Sequence, residues 1–332
     1  MLVSLAKCII EVASSRRRVW IGIIVLTYLC ATKTTRIKMK LSIALVATFA
    51  AGASAFAPAA RPAAAASSTA LSARQPIMAG NWKMNPATEE DALKLATDFS
   101  KLLGEEACAI EEFDGCTEVV LFPPFPFISK VKDAVDEVGI TVGAQGVYFE
   151  DKGAYTGSVA ASMVKSIGCE YILCGHSERR TLMNDDDVNI NKKVKKVLES
   201  GMKPILCIGE TKEEFDLDIT KDICAMQLSK DLFGVTKEQM ADVVIAYEPV
   251  WAIGTGLVCG ANEANKMHRY IREKLAMMYD EEVAQATRIQ YGGSVTPESV
   301  DGLMSMPEID GCLVGGASLD AEKFARICNF EK

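Results

Sequence analysis

The sequence predicts an α/β domain of eight parallel strands, a (β/α)8 barrel, preceded by an extension that does not fold with it. Three observations carry this. From Gln75 onward, short apolar runs rich in β-branched residues alternate with amphipathic helical stretches, the pattern of repeated βαβ units. The polar residues that suggest chemistry fall just beyond the C-terminal ends of those runs, the face on which a barrel builds its site. The composition also changes abruptly near residue 74, leaving roughly 257 residues, close to the usual size of such a barrel. An open, doubly wound sheet fits the alternation nearly as well, so the motifs must decide between the two.

The extension, residues 1–73, is read as a targeting presequence with the folded domain spanning 74–332. Met39 begins a complete signal-like unit: Lys40 as positive flank, Leu41–Ala51 as a short apolar core, and Ala53-Ser54-Ala55 as a small-residue cleavage site. The core is too short to span a bilayer. Residues 56–73 follow, rich in Ala, Ser and Pro and free of acids. Ala-Ser-Ala-Phe-Ala-Pro at 53–58 resembles the bipartite plastid presequences of algae whose plastids carry additional membranes. That resemblance implies delivery to the plastid stroma, with mitochondrial or cytosolic residence as the alternatives. Arg16-Arg17-Arg18 and the apolar run Val19–Cys30 read either as a second signal core or as leader sequence ahead of a start at Met39; the second reading is preferred.

The strand candidates are Ile77–Asn81, Glu118–Phe122, Thr141–Gly143, Tyr171–Cys174, Pro204–Ile208, Val243–Tyr247, Arg288–Tyr291 and Cys312–Val314. Helical periodicity covers Glu89–Leu103, Ile128–Val138, Val188–Ser200, Ile219–Leu232, Asn262–Tyr279 and Ala321–Asn329.

Charge divides where composition does. Residues 1–74 carry ten Lys/Arg against Glu11 alone, a balance of +9; with the whole chain at −8, residues 75–332 stand at −17. So acidic a body argues against nucleic acid or an anionic membrane as partner. It also repels a phosphorylated ligand at long range, so an anion site must reverse the field locally. The eleven cysteines form no CxxC pair and no metal-ligand spacing, and several sit inside apolar runs such as Ile205–Ile208. Buried, reduced thiols in a reducing compartment are expected.

Five motifs carry the chemistry: Ala79-Gly80-Asn81-Trp82-Lys83-Met84-Asn85, Gly175-His176-Ser177-Glu178-Arg179-Arg180, Ala246 to Gly256 (AYEPVWAIGTG), Tyr291-Gly292-Gly293-Ser294, and Gly315-Gly316-Ala317-Ser318-Leu319. In order and spacing they resemble the triosephosphate isomerases, and the resemblance covers residues 76–331. It implies a barrel, an isomerase of triose phosphates and no cofactor, in keeping with the lack of a metal cluster or nucleotide fingerprint in the sequence. It further implies Glu248 as catalytic base, His176 as electrophile, and Lys83 for the phosphate and enediolate charge. Asn81, Gly254, Ser294, Gly315 and Gly316 then bind substrate, Glu178 supports Lys83, and Ile253-Gly254-Thr255-Gly256 tips a lid. A homodimer docking through the loop around Gln145–Ser158 is implied as well. His268, in a helix beside Arg269, Arg272 and Lys274, is read as a solvated surface residue.

Some positions depart from the family's pattern. Leu257-Val258-Cys259 stands at the second lid hinge where Lys-Thr-Ala is frequent. Gly146 and Ser158 replace Asn and Glu in the docking loop, removing an acidic partner for Arg179. Asp185 and Cys174 stand for Glu and Leu. None of these positions is in the catalytic set. Two other readings remain: a different phosphosugar enzyme on the same barrel, which would need a different base, and a silent barrel kept as a scaffold, against which the intact site speaks.

Overall fold

The computed structural model describes residues 74–103 and 117–331; the expected presequence and its sorting signals lie outside the described residues. Eight strands pair in parallel in chain order: β1 (Ile77–Asn81), β2 (Glu118–Phe122), β3 (Thr141–Ala144), β4 (Tyr171–Cys174), β5 (Lys203–Ile208), β6 (Val244–Tyr247), β7 (Arg288–Tyr291) and β8 (Gly311–Val314). β8 returns to β1, with Ile77 opposite Gly311 and Gly80 opposite Val314. The sheet is therefore a closed barrel, and the open doubly wound alternative is excluded. Strand limits agree with the sequence reading to within a residue. The helix expected over 128–138 stays α-helical only to Val135, tightens to a 3-10 turn over Asp136–Val138, and stops at Gly139 with φ of 72°, a left-handed conformation that glycine adopts at little cost.

Continuous apolar runs form these strands because both faces are buried. Alternate residues, among them Ile77, Ala79, Val120, Phe122, Tyr171, Leu173, Ile205 and Cys207, point inward and fill the barrel. Their neighbours, such as Met78, Leu121, Ile172, Leu206 and Ile245, pack outward with the helices. The floor of the barrel is polar. Arg288 forms an ion pair with Glu118, the Tyr171 hydroxyl donates to Glu118 Oε1 at 2.7 Å, and Arg288 Nη2 donates to the Tyr171 hydroxyl at 2.9 Å. Three first-in-strand residues thus satisfy one another where the apolar filling ends.

A second network ties the chain's entry to the β7–β8 seam. Asp310 accepts from Arg74 Nε at 2.6 Å, from Arg272 Nη2 at 2.8 Å and from the Ile289 amide at 2.8 Å. Arg74 Nη2 also donates to the Pro307 carbonyl at 3.0 Å. Beside it, His268 corrects the sequence reading: it is fully buried, with Nδ1 3.1 Å from the Glu308 carbonyl oxygen. The reason is periodicity. His268, Ile271, Arg272 and Leu275 recur at helical spacing on the buried face of the Ala261–Met278 helix. The charges around His268 made that face look solvated, yet Arg272 is itself buried and satisfied by carboxylates and carbonyls.

The described cysteines are all buried and free, as expected. Burial pushes the Cys174 and Cys312 thiols up to about 12, which leaves them inert as nucleophiles. Among the described residues no helix is long and apolar enough to cross a membrane.

Candidate active site

The C-terminal ends of the strands open into a cavity of about 520 Å3. Asn81 closes β1 and is buried; its Oδ1 accepts from the Lys83 amide at 3.0 Å. Lys83 has φ of 55°, an uncommon conformation for a residue with a side chain. Gln145 holds it there by donating from Nε2 to the carbonyls of Lys83 at 2.7 Å and Phe122 at 2.9 Å. The Lys83 ammonium lies 2.7 Å from Glu178 Oε1, both half-exposed.

β4 delivers His176, which caps the Ser177–Leu182 helix: its Nδ1 accepts from the Glu178 amide at 3.3 Å. A ring nitrogen that accepts from a backbone N–H carries no proton of its own. In this arrangement Nδ1 is the acceptor, and Nε2 is the nitrogen left to donate. That nitrogen faces Glu248 Oε1 at 3.1 Å. The other carboxylate oxygen of Glu248 accepts from the Ser177 amide at 2.8 Å. Both His176 and Glu248 are buried. The result is a buried Glu248 carboxyl group beside an imidazole whose hydrogen bonds fix its orientation.

Glu248 follows β6 and leads into the segment from Pro249 to Cys259. Trp251 anchors its start by donating from Nε1 to Glu210 Oε1 at 2.7 Å and stacking on Phe215 at 4.2 Å between centroids. Glu210 also accepts from the Tyr247 hydroxyl at 3.1 Å, and burial holds its carboxyl above the usual range although these donors pull it down. The far end is held by the Tyr291 hydroxyl, which donates to the Cys259 carbonyl at 3.3 Å. Between the anchors Gly254 and Gly256 have φ of 69° and 82°, with open space where a Cβ would project. The segment is thus pinned at both ends, and its tip bonds back within the segment, the Thr255 hydroxyl donating to the Trp251 carbonyl at 2.6 Å, the build of a loop that can move as a lid.

The opposite wall comes from the ends of β7 and β8. Ser294, Gly315 and Gly316 line the cavity beside Gly254, and a 3-10 turn over Gly316–Leu319 leads into the Ala321–Cys328 helix. Turns of this kind present backbone N–H groups and a positive dipole end to an anion.

The structure thus brings Asn81, Lys83, His176, Glu248, Gly254, Ser294, Gly315 and Gly316 to one cavity; Glu178 is reached through Lys83 rather than lining the wall. Sequence reading missed Ser177 as a backbone donor to Glu248, Gln145 as the support of Lys83, and Glu210 as the anchor of Trp251. Gln145 was assigned only to the docking loop. Glu210 was legible in principle, since Gly209-Glu210 follows a strand as the other site residues do. Arg179, from which Ser158 is expected to remove one acidic partner, pairs with Asp185 at 2.7 Å.

The comparisons agree with this geometry. A family model for triosephosphate isomerase matches residues 76–331. The chain is 44% identical to the triosephosphate isomerase of Clostridium novyi over 78% of its own length and all of that protein. It is 45% identical to those of Alkaliphilus metalliredigens and Moorella thermoacetica, over 77% and 78% of its length and again all of theirs. A match that spans the barrel from its first strand to its last helix, and takes in each motif at the cavity, makes the chain a member of the triosephosphate isomerase family.

Proposed function

We propose that the chain interconverts dihydroxyacetone phosphate and D-glyceraldehyde 3-phosphate by proton transfer through an enediolate, in the roles known for this family. One observation carries the reading: the buried Glu248 carboxylate lies 3.1 Å from Nε2 of a His176 whose Nδ1 is occupied as an acceptor. Glu248 takes the proton from the carbon beside the carbonyl and returns it to the neighbouring carbon. His176 donates from Nε2 to the carbonyl oxygen and moves protons between the two oxygens as the double bond shifts. Lys83 offsets the charge that develops there, with Asn81 beside it and Glu178 as its resting partner. Both Glu248 oxygens are engaged at rest, so substrate must displace at least one contact before the base can act. Backbone N–H groups of Gly254, Ser294, Gly315 and Gly316 hold the phosphate. No cofactor enters these steps.

Three further assignments complete the proposal. The chain forms a homodimer through the loop around Gln145–Ser158, a reading supported by the exposed side chains of Met84 and Tyr155. The boundary between extension and barrel lies at 73/74, supported by the contacts of Arg74 with the seam. The extension directs the chain to the plastid stroma.

The test is a coupled assay of glyceraldehyde 3-phosphate conversion by residues 74–332, beside a Glu248→Gln variant. Fast turnover in the parent and loss of about 10^3-fold or more in the variant are expected from removal of the base. A folded but inactive parent would instead favour a scaffold role, and activity surviving in the variant would remove Glu248 as base.

A further inference from the structure

The cavity continues beyond the phosphate-binding turns. Beside Ser294 its wall includes Thr296, Pro297, Glu298 and Lys323. Lys323 sits in the first turn of the Ala321–Cys328 helix, whose amide bonds to the capping Asp320 at 3.1 Å. Its ammonium reaches Asp320 Oδ2 at 3.0 Å, with both side chains largely in solvent. Lys323 also acts on Glu298: that carboxyl lies below its usual range, chiefly through a hydrogen bond with Thr296 and in smaller part through the charges of Lys323 and Arg326.

The charges of the cavity make this outer wall matter. Its lining cations are Lys83 and Lys323. Lys83 is half-exposed and engaged with Glu178 at rest, and Glu248 adds a carboxylate. A phosphate dianion must approach this opening on a domain whose residues 75–332 carry −17, and the more exposed of the two lining lysines is Lys323. Its bond to Asp320 is no barrier. Exposed pairs are worth little, and a dianion offers the ammonium twice the charge of a carboxylate.

We propose that Lys323 is a positioning residue for substrate entry: it draws the phosphate dianion to the mouth and delivers it to the turn at Gly315-Gly316, while Glu298, which lines the same cavity, opposes it. This rests on the isomerase reading above. Two signatures follow. Loss of Lys323 lowers kcat/KM and leaves kcat in place, because the contact is made before chemistry. Loss of Glu298 acts in the opposite direction, which a merely structural role for this wall does not produce.

The experiment measures kcat and kcat/KM for glyceraldehyde 3-phosphate, from low to physiological ionic strength, in the parent and four variants: Lys323→Gln, Lys323→Arg, Glu298→Gln, and Lys101→Gln as an equal charge change at the far end of the Glu89–Leu103 helix. At low salt Lys323→Gln is expected to lose about 3- to 5-fold in kcat/KM, shrinking below about 2-fold at physiological salt as the Debye length falls to about 8 Å. Lys323→Arg restores the parent value, Glu298→Gln raises it, and Lys101→Gln leaves it unchanged. Equal kcat/KM and equal salt dependence in Lys323→Gln and the parent would overturn the proposal. So would a loss that is independent of salt and appears in kcat, or a fall in kcat/KM for Glu298→Gln. A folded parent that fails to isomerise overturns the isomerase reading itself, a result distinct from an active parent that is indifferent to Lys323.

Discussion

Gly209→Ala is the sharpest test of how the fold holds the base. Gly209 ends the run after β5 with its backbone against that of Glu248. A Cβ built there would lie 1.7 Å from the Glu248 carbonyl oxygen and 2.7 Å from its carbonyl carbon. Real Cβ atoms essentially never approach closer than 3.0 Å, so the two backbones must part by about 1.3 Å. Neither can yield by rotating a side chain. Gly209 is clamped on both sides by Gln227, which accepts from its amide at 2.8 Å and donates to its carbonyl at 3.1 Å. The Glu248 amide donates to the Ile208 carbonyl at 2.7 Å. The displacement therefore passes to the Glu248 carboxylate.

A misplacement of about 1 Å costs roughly 10^2-fold in rate, or about 2.7 kcal/mol of transition-state stabilisation. The expected result is a fall of that size in kcat. KM should change less, because three of the four proposed phosphate-holding residues, Ser294, Gly315 and Gly316, follow β7 and β8. Overpacking should also cost about 1–3 kcal/mol in stability, so the assay belongs beside a thermal melt that shows a cooperative, folded variant. A folded Gly209→Ala with kcat within about 3-fold of the parent would refute the reasoning, since the base would then tolerate a shift that its geometry forbids.

Three other perturbations follow from the same structure. Arg74→Ala removes the Arg74–Asp310 ion pair but leaves Asp310 bonded to Arg272 and Ile289; it should cost about 2 kcal/mol, or about 4–8 °C in Tm, with isomerase activity intact. A chain starting at Gln75 should melt with the variant. Burial holds the His268 imidazole down at about 3, so it stays neutral in the fold while the unfolded chain protonates near 6.5. The folded pKa is the lower one, so this contribution is complete above about 6.5 and is lost as pH falls towards 3, with a slope of up to about 1.4 kcal/mol per pH unit. Urea unfolding between pH 6 and 5 should therefore be less pH-dependent in His268→Gln than in the parent. Deleting the tip Ile253–Gly256 should leave the anchors at Trp251 and Cys259 but expose the enediolate, raising phosphate release relative to isomerisation; unchanged partitioning would deny the lid that role.

The strands and the cavity residues were legible because each leaves a mark in residue type. A strand buried on both faces must be continuously apolar, as Ile77–Met78–Ala79 and Val119–Val120–Leu121 are. A side chain proposed for chemistry must be polar where the strand ends, as the cavity residues Asn81, His176 and Glu248 are. His268 is misread because charge in one dimension does not show which face of a helix it lies on; Arg272, one of the charges beside it, is itself nearly as buried as the histidine. What stayed hidden works through main-chain atoms or across the chain. The Ser177 amide orients the base, and any residue but proline supplies an amide. Arg74 and Asp310 are 236 positions apart, and nothing local to either announces the other. Gly209 lies between these cases. Its mark is an absence, a missing Cβ that lets the chain pass against Glu248, and such a mark gains meaning only when the neighbour is known. The residues proposed for the chemistry can thus be read from a sequence by type, whereas those that hold them in place are recognised by what they touch.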